Sequence, residues 1–136
     1  LMICFEMIGY FSDEPDSQLY PLPFLNLYYP SAGNFIAIVD QFFSTQAWRM
    51  KRWMRQTIDL PVYSINAPKW LPGVDWSDHR NCWNQGYPAV MITDTAFYRN
   101  QSYHSADDTP ETLDYEKMAQ VVHGVYSYVL HLAGGE

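Results

Sequence analysis

Two residues of the kind that hold a metal ion stand far apart in this chain. Glu6 interrupts the apolar run from Leu1 to Tyr10, and His104 lies in a polar loop between Tyr103 and the Asp107-Asp108 pair. A buried carboxylate is costly unless it is paired or bound to a metal, so Glu6 either meets a cation or marks where the strand ends and the side chain turns to water. A neutral imidazole with carboxylates nearby to orient it suits zinc, although a single loop histidine is more often a surface residue. His79 follows Asp78 at a predicted helix start and either contacts a substrate or caps the helix. His123 and His131, eight apart in the last helix, read as ordinary helix-face residues. The cysteines Cys4 and Cys82 make neither a metal spacing nor a disulfide framework, and Cys4 reads as a buried, inert thiol. The sequence contains no nucleophile elbow, phosphate-cradling glycine loop or HExxH helix.

These residues cluster around one stretch, Trp76 to Thr112. It opens on Ser77-Asp78-His79, turns at Gly86-Tyr87-Pro88, and runs through an apolar strand, Ala89 to Thr93. It then enters a loop with Tyr98, Arg99, Tyr103, His104, Asp107 and Asp108. A strand that ends in acids, aromatics and a histidine suits an α/β sheet, whose ligand crevices lie beyond the carboxyl ends of its strands.

The elements that must position this stretch follow from periodicity and turn residues. Leu1 to Tyr10 reads as a strand apolar on both faces, as a helix-covered parallel sheet requires. Pro15, Pro21, Pro23 and Pro30 make Phe11 to Gly33 a long ordered loop. Asn34 to Asp40 is a second strand. Ser44 is placed to cap a helix to about Ile58, with Ala47, Met50, Met54 and Ile58 on one stripe. Pro61 to Ile65 reads as a short strand, Asn66 to Asp75 as a loop, and Asp78 to Gln85 as a short helix closed by Gly86. Thr112, helped by Asp114 and Glu116, is expected to cap a last helix whose buried stripe is Met118, Val121, Val122, Val125, Val129 and Leu132, stopped by Gly134-Gly135. Strands alternating with helices predict an α/β fold with crossover connections.

Composition narrows the function. The chain has 136 residues, 48% of them apolar, enough for one domain with a core. A net charge of −7 argues against a general nucleic-acid binder. Four of the eight cations, Arg49, Lys51, Arg52 and Arg55, share one segment, which reads first as a solvated helix face. No apolar segment approaches the length of a membrane span. The eleven tyrosines and five tryptophans, many in predicted loops, suit a binding cleft, a core or a partner surface. Leu1 is not a natural start residue and already lies in a buried-type run, so a fragment is expected.

The chain resembles the carboxyl-terminal half of the zinc-dependent exopeptidase family that includes bacterial leucyl aminopeptidases, glutamate carboxypeptidase II and glutaminyl cyclase. The resemblance rests on Phe5-Glu6-Met7-Ile8-Gly9-Tyr10, on Ser77-Asp78-His79 with Trp83 and Gly86-Tyr87-Pro88-Ala89, on Thr93-Asp94-Thr95-Ala96-Phe97-Tyr98-Arg99-Asn100, and on Tyr103-His104 followed by Asp108-Thr109-Pro110-Glu111-Thr112-Leu113-Asp114-Tyr115. It covers nearly the whole chain in the family's order. It implies a three-layer α/β fold around a mostly parallel mixed sheet, with residues 1–136 as the carboxyl-terminal portion of an aminopeptidase-like catalytic domain.

In that family two zinc ions, bridged by an aspartate and a water, activate the water for attack on a peptide carbonyl, and a glutamate serves as general base. By motif, His104 matches the last metal ligand, and Glu6 matches a ligand that is often aspartate. Asp78, His79, Tyr98, Arg99 and Tyr103 match residues that line the substrate pocket or brace the ligands. The family's remaining ligands and its general base precede this region, and the resemblance assigns Glu6 and His104 to different zincs. Each metal would then receive one ligand from this chain, where a catalytic zinc takes three. The expectation is a polypeptide that binds zinc weakly and hydrolyses nothing alone. An uncovered sheet edge and helix surface should promote self-association or pairing with an amino-terminal half. The rival readings are a non-catalytic binding or assembly module on the same scaffold and, remotely, glutaminyl cyclase-like acyl transfer.

Overall fold

A computed structural model describes residues 1–134 of the chain. Its strands are β1 (Met2–Phe5), β2 (Ile36–Asp40), β3 (Val62–Asn66) and β4 (Ala89–Thr93); its α-helices are α1 (Gln46–Thr57), α2 (His79–Asn84) and α3 (Tyr115–Leu132). The strands form one open mixed sheet in the order β1-β4-β2-β3. β1 runs parallel to β4 and β2 parallel to β3, while β2 and β4 are antiparallel. The carboxyl ends of the strands are therefore split between two edges of the sheet, those of β1 and β4 lying together.

Alternation along the strands feeds two cores. Ile36, Ile38, Val62, Val90 and Ile92 pack with Met50 and Met54 of α1 and with Val121, Val125 and Tyr128 of α3. Val39, Ala89 and Met91 face the other way, against Trp83 of α2 and Ala67, Leu71 and Val74 of the β3–α2 loop. The result is a three-layer α/β arrangement.

Three local expectations are corrected by the hydrogen bonds the chain makes. β1 stops at Phe5 rather than running to Tyr10. The Glu6 N–H still bonds the Ile92 carbonyl, but Met7 turns to φ 53°, and the N–H groups of Gly9 and Tyr10 go to the Asp94 carboxylate. In α1 the Thr45 side chain makes no capping bond, and Ser44 is not the principal cap. Asp40, at the end of β2, accepts the Ala47 N–H at 3.0 Å, whereas Ser44 Oγ makes only a longer contact of 3.3 Å to the Gln46 N–H. In α3 the cap is Asp114, which accepts from the Lys117 N–H, and Thr112 belongs to a 3₁₀ turn, Pro110–Thr112.

The buried face of α3 is Val121, Gly124, Val125 and Tyr128. Val122, Val129 and Leu132, placed in the predicted stripe, are 49%, 45% and 53% exposed. Gly124 sets this rotation: a Cβ there would lie 2.9 Å from the Met54 methyl, so the helices approach through the glycine. Gly135 of the predicted stop lies outside the described residues.

Candidate functional site

β1 and β4 are neighbours in register, with Phe5 opposite Ile92, so the residues that follow them emerge side by side. These are Glu6 and Asp94. Asp94 is buried and accepts three backbone N–H groups: Gly9 and Tyr10 on Oδ2 at 3.0 and 2.8 Å, and Ala96 on Oδ1 at 2.9 Å. Burial pushes its carboxyl above the usual range, against the opposing pull of those donors and of Arg99. Its own N–H donates to the Met7 carbonyl at 2.7 Å. The two loops are thus locked together through one acid.

Glu6 is half-buried, and Ser77 Oγ donates to its Oε2 at 2.8 Å. Ser77 Oγ also lies 3.2 Å from Cys4 Sγ. Since the hydroxyl proton goes to the carboxylate, the thiol is left to donate to the hydroxyl. Glu6 contributes to the wall of a cavity of about 120 Å³ on the α2 side of the sheet, otherwise largely apolar, with Phe35, Tyr63, Leu71, Met91 and Phe97 among its lining residues.

Tyr98 and Tyr103 share that wall. The Tyr98 hydroxyl donates to the Pro72 carbonyl at 3.2 Å. Burial, and then the charge of Glu6, raise the Tyr103 phenol above its ordinary value. His104 is exposed in the left-handed region at φ 61°, and its ring stacks on Tyr103 at 4.0 Å. Glu6 and Tyr103 therefore meet in one wall, and the imidazole stacks on Tyr103.

The other three predicted residues lie outside the cavity wall. Asp78 is exposed just before α2 and makes no capping bond. His79 is buried, with Nε2 2.7 Å from the Val74 carbonyl and its ring edge-on to Trp83. Desolvation lowers its pKa. Arg99 is buried beside Phe35; it donates to Gln18 Oε1 and to the carbonyls of Tyr10 and Phe35, and burial lowers its pKa to about 10. His79 and Arg99 hold the loops that frame the cavity.

Reading residue types alone assigned no role to Asp94 or Ser77. For Asp94 the signal was present, an acid directly after an apolar strand, as at Glu6. Ser77 carried none, because its partner is 71 positions away.

Among the described residues no group of three His, Cys, Asp or Glu side chains is placed to hold a metal ion. A catalytic zinc takes three protein ligands. The described residues thus do not by themselves fit a zinc centre, and Glu6 and His104 would each need ligands from other groups.

Comparison with known proteins agrees with this fold. Relative to the Legionella pneumophila LapA aminopeptidase the fold superposes with a TM-score of 0.67 at 18% identity, covering 96% of this chain and 30% of that one. For Legionella pneumophila LapB the TM-score is 0.64 at 16% identity, over 97% of this chain and 31% of LapB. In sequence, the chain is 52% identical over 126 residues to the uncharacterized protein YfbL of Escherichia coli (strain K12), which covers 92% of this chain and 39% of YfbL. A probable leucine aminopeptidase of Arthroderma benhamiae is 45% identical over 49 residues, 35% of this chain and 13% of that protein. The chain thus spans well under half the length of these relatives. The profile described as "Peptidase family M28" matches residues 2–129, nearly the whole sequence, and the chain belongs to that family.

Proposed function

We propose that this chain forms the carboxyl-terminal portion of a zinc-dependent aminopeptidase domain, which when complete hydrolyses amino-terminal peptide bonds. The observation that carries the reading is the Glu6 carboxylate, oriented by Ser77 in the wall of an apolar cavity that also contains Tyr103, the neighbour on which His104 stacks. The apolar lining suits an apolar side chain on the substrate's first residue, and it excludes water from around that side chain. Zinc, where the complete domain binds it, supplies an activated water. Glu6 and His104 each offer one ligand, and the remaining ligands and the general base come from outside this chain.

The assembly that the reading requires has a surface to form on. Among the described residues β1 pairs only with β4, leaving its other edge open, with Leu1 and Phe5 exposed beside it. α3 exposes Val122, Tyr126, Val129 and Leu130. Open edges and apolar faces favour pairing with an amino-terminal segment or self-association. Zinc titration and an aminopeptidase assay test the proposal, on this chain alone and on a longer polypeptide with the preceding residues. Weak metal binding and no turnover are expected from the first, and both metal and turnover from the second. Tight stoichiometric zinc with robust turnover by the 136-residue chain alone would overturn it.

A further inference from the structure

On the face of the sheet opposite the Glu6 cavity, α1 and α3 border an open groove of about 460 Å³. Its lining includes Trp48, Arg49, Arg52, Trp53, Tyr128 and His131. Trp53 is fixed in place: its Nε1–H donates to Ser127 Oγ at 3.0 Å, and the His131 ring lies flat on it at 3.9 Å. On the same helix the Arg52 guanidinium sits over the Trp48 ring at 5.7 Å. Among the described residues the ion pairs are those of Lys117 with Asp13 and Asp114, and neither Arg49 nor Arg52 is ion-paired with a described carboxylate. Arg55, by contrast, is committed to the Val62 carbonyl and the Tyr63 ring. α1 carries four cations and no acid in a chain of net charge −7, so positive charge is concentrated on this helix.

What exceeds a plain solvated helix face is the combination: two exposed guanidinium groups with no ion pair among the described residues stand beside an indole held by both a hydrogen bond and a stack. Guanidinium groups match the geometry of phosphate and carboxylate, and fixed aromatic faces receive flat rings. The volume falls in the range of small-molecule sites. We propose that this groove binds a small organic anion, a phosphate or carboxylate joined to a flat unsaturated ring, with Arg49 and Arg52 on the anion and the aromatic lining beside the ring. Because the groove and the Glu6 cavity lie on opposite faces of the sheet, this site is separate from the peptidase cavity and its test is independent of the peptidase proposal.

Calorimetric titration of the full chain with four probes tests it: phenyl phosphate, inorganic phosphate, benzyl alcohol and hexaglutamate. Phenyl phosphate is expected to saturate one site, at least about tenfold more tightly than each of the other three. The double variant Arg49→Gln/Arg52→Gln should lose at least about tenfold in phenyl phosphate affinity while keeping its melting curve. No saturable binding of phenyl phosphate up to about 10 mM overturns the proposal, as does undiminished binding by the folded double variant. Tighter binding of hexaglutamate overturns it in favour of an acidic peptide. Should the double variant fail to fold, the probe ranking on the unaltered chain decides the matter.

Discussion

The ends of β1 and β4 offer a comparison within one molecule. Both strands are parallel, adjacent and followed by an acid, yet the two acids meet different surroundings. Asp94 is buried and spends both oxygens on backbone N–H groups from two loops. Glu6 is half-buried, receives one hydroxyl proton on Oε2, and lies in a cavity wall. A carboxylate saturated by main-chain donors fixes loop geometry and has nothing left to offer a ligand. One held by a single side chain keeps an oxygen free. The first is architecture, and the second is available for chemistry.

The sharpest way to break this comparison is to remove Asp94. Asp94→Ala leaves three backbone N–H groups unpaired, those of Gly9 and Ala96 buried and that of Tyr10 half-buried. At about 1–3 kcal/mol for each buried group, a loss of about 2–6 kcal/mol is expected in urea denaturation, a large part of the stability of a small domain. A loss under about 1 kcal/mol would show that the acid is not structural. Asp94→Asn keeps one acceptor but turns an amide towards a backbone N–H, and about 2 kcal/mol is expected by the same measurement.

Acidification should come next in size, through the histidine buried against Trp83. His79 has a folded pKa below its unfolded value, so the unfolded chain binds more protons in the window below about pH 6.5. Its contribution is fully present above that pH and lost as pH falls towards the lowered value, by at most about 1.4 kcal/mol per pH unit. Thermal melts from pH 7.5 down to 5.5 should show the slope, and His79→Gln should flatten it. An unchanged slope in the variant would assign the effect elsewhere.

The smallest effect on stability belongs to Glu6. Glu6→Gln retains an acceptor for Ser77 and should cost less than about 0.5 kcal/mol in urea denaturation. In the complete domain the same change is expected to lower zinc occupancy and abolish peptidase activity. A Glu6→Gln chain as destabilised as Asp94→Ala would erase the distinction between the two acids.

Much of this protein was legible in its residues, and the exceptions share a cause. The strand from Ala89 to Thr93 stands where its apolar run placed it, and the α1 stripe of Ala47, Met50 and Met54 is buried as its spacing requires. The alternation of strands and helices gave the layers, because burial of a periodic apolar face is decided within each element. Tertiary structure alone decided that β1 ends at Phe5, because the donors of Gly9 and Tyr10 are captured by an acid 85 and 84 positions away. It decided that Asp40 serves the first turn of α1, and that Gly124 turns α3 so that Val122 and Val129 face outward. It also paired β1 in parallel with β4, which brought Glu6 beside Asp94, and set β2 and β3 in the opposite direction, which puts their ends at the other edge. Local sequence specifies which groups an element must bury, but which distant partner satisfies a carboxylate or a backbone N–H is settled only when the chain has closed on itself.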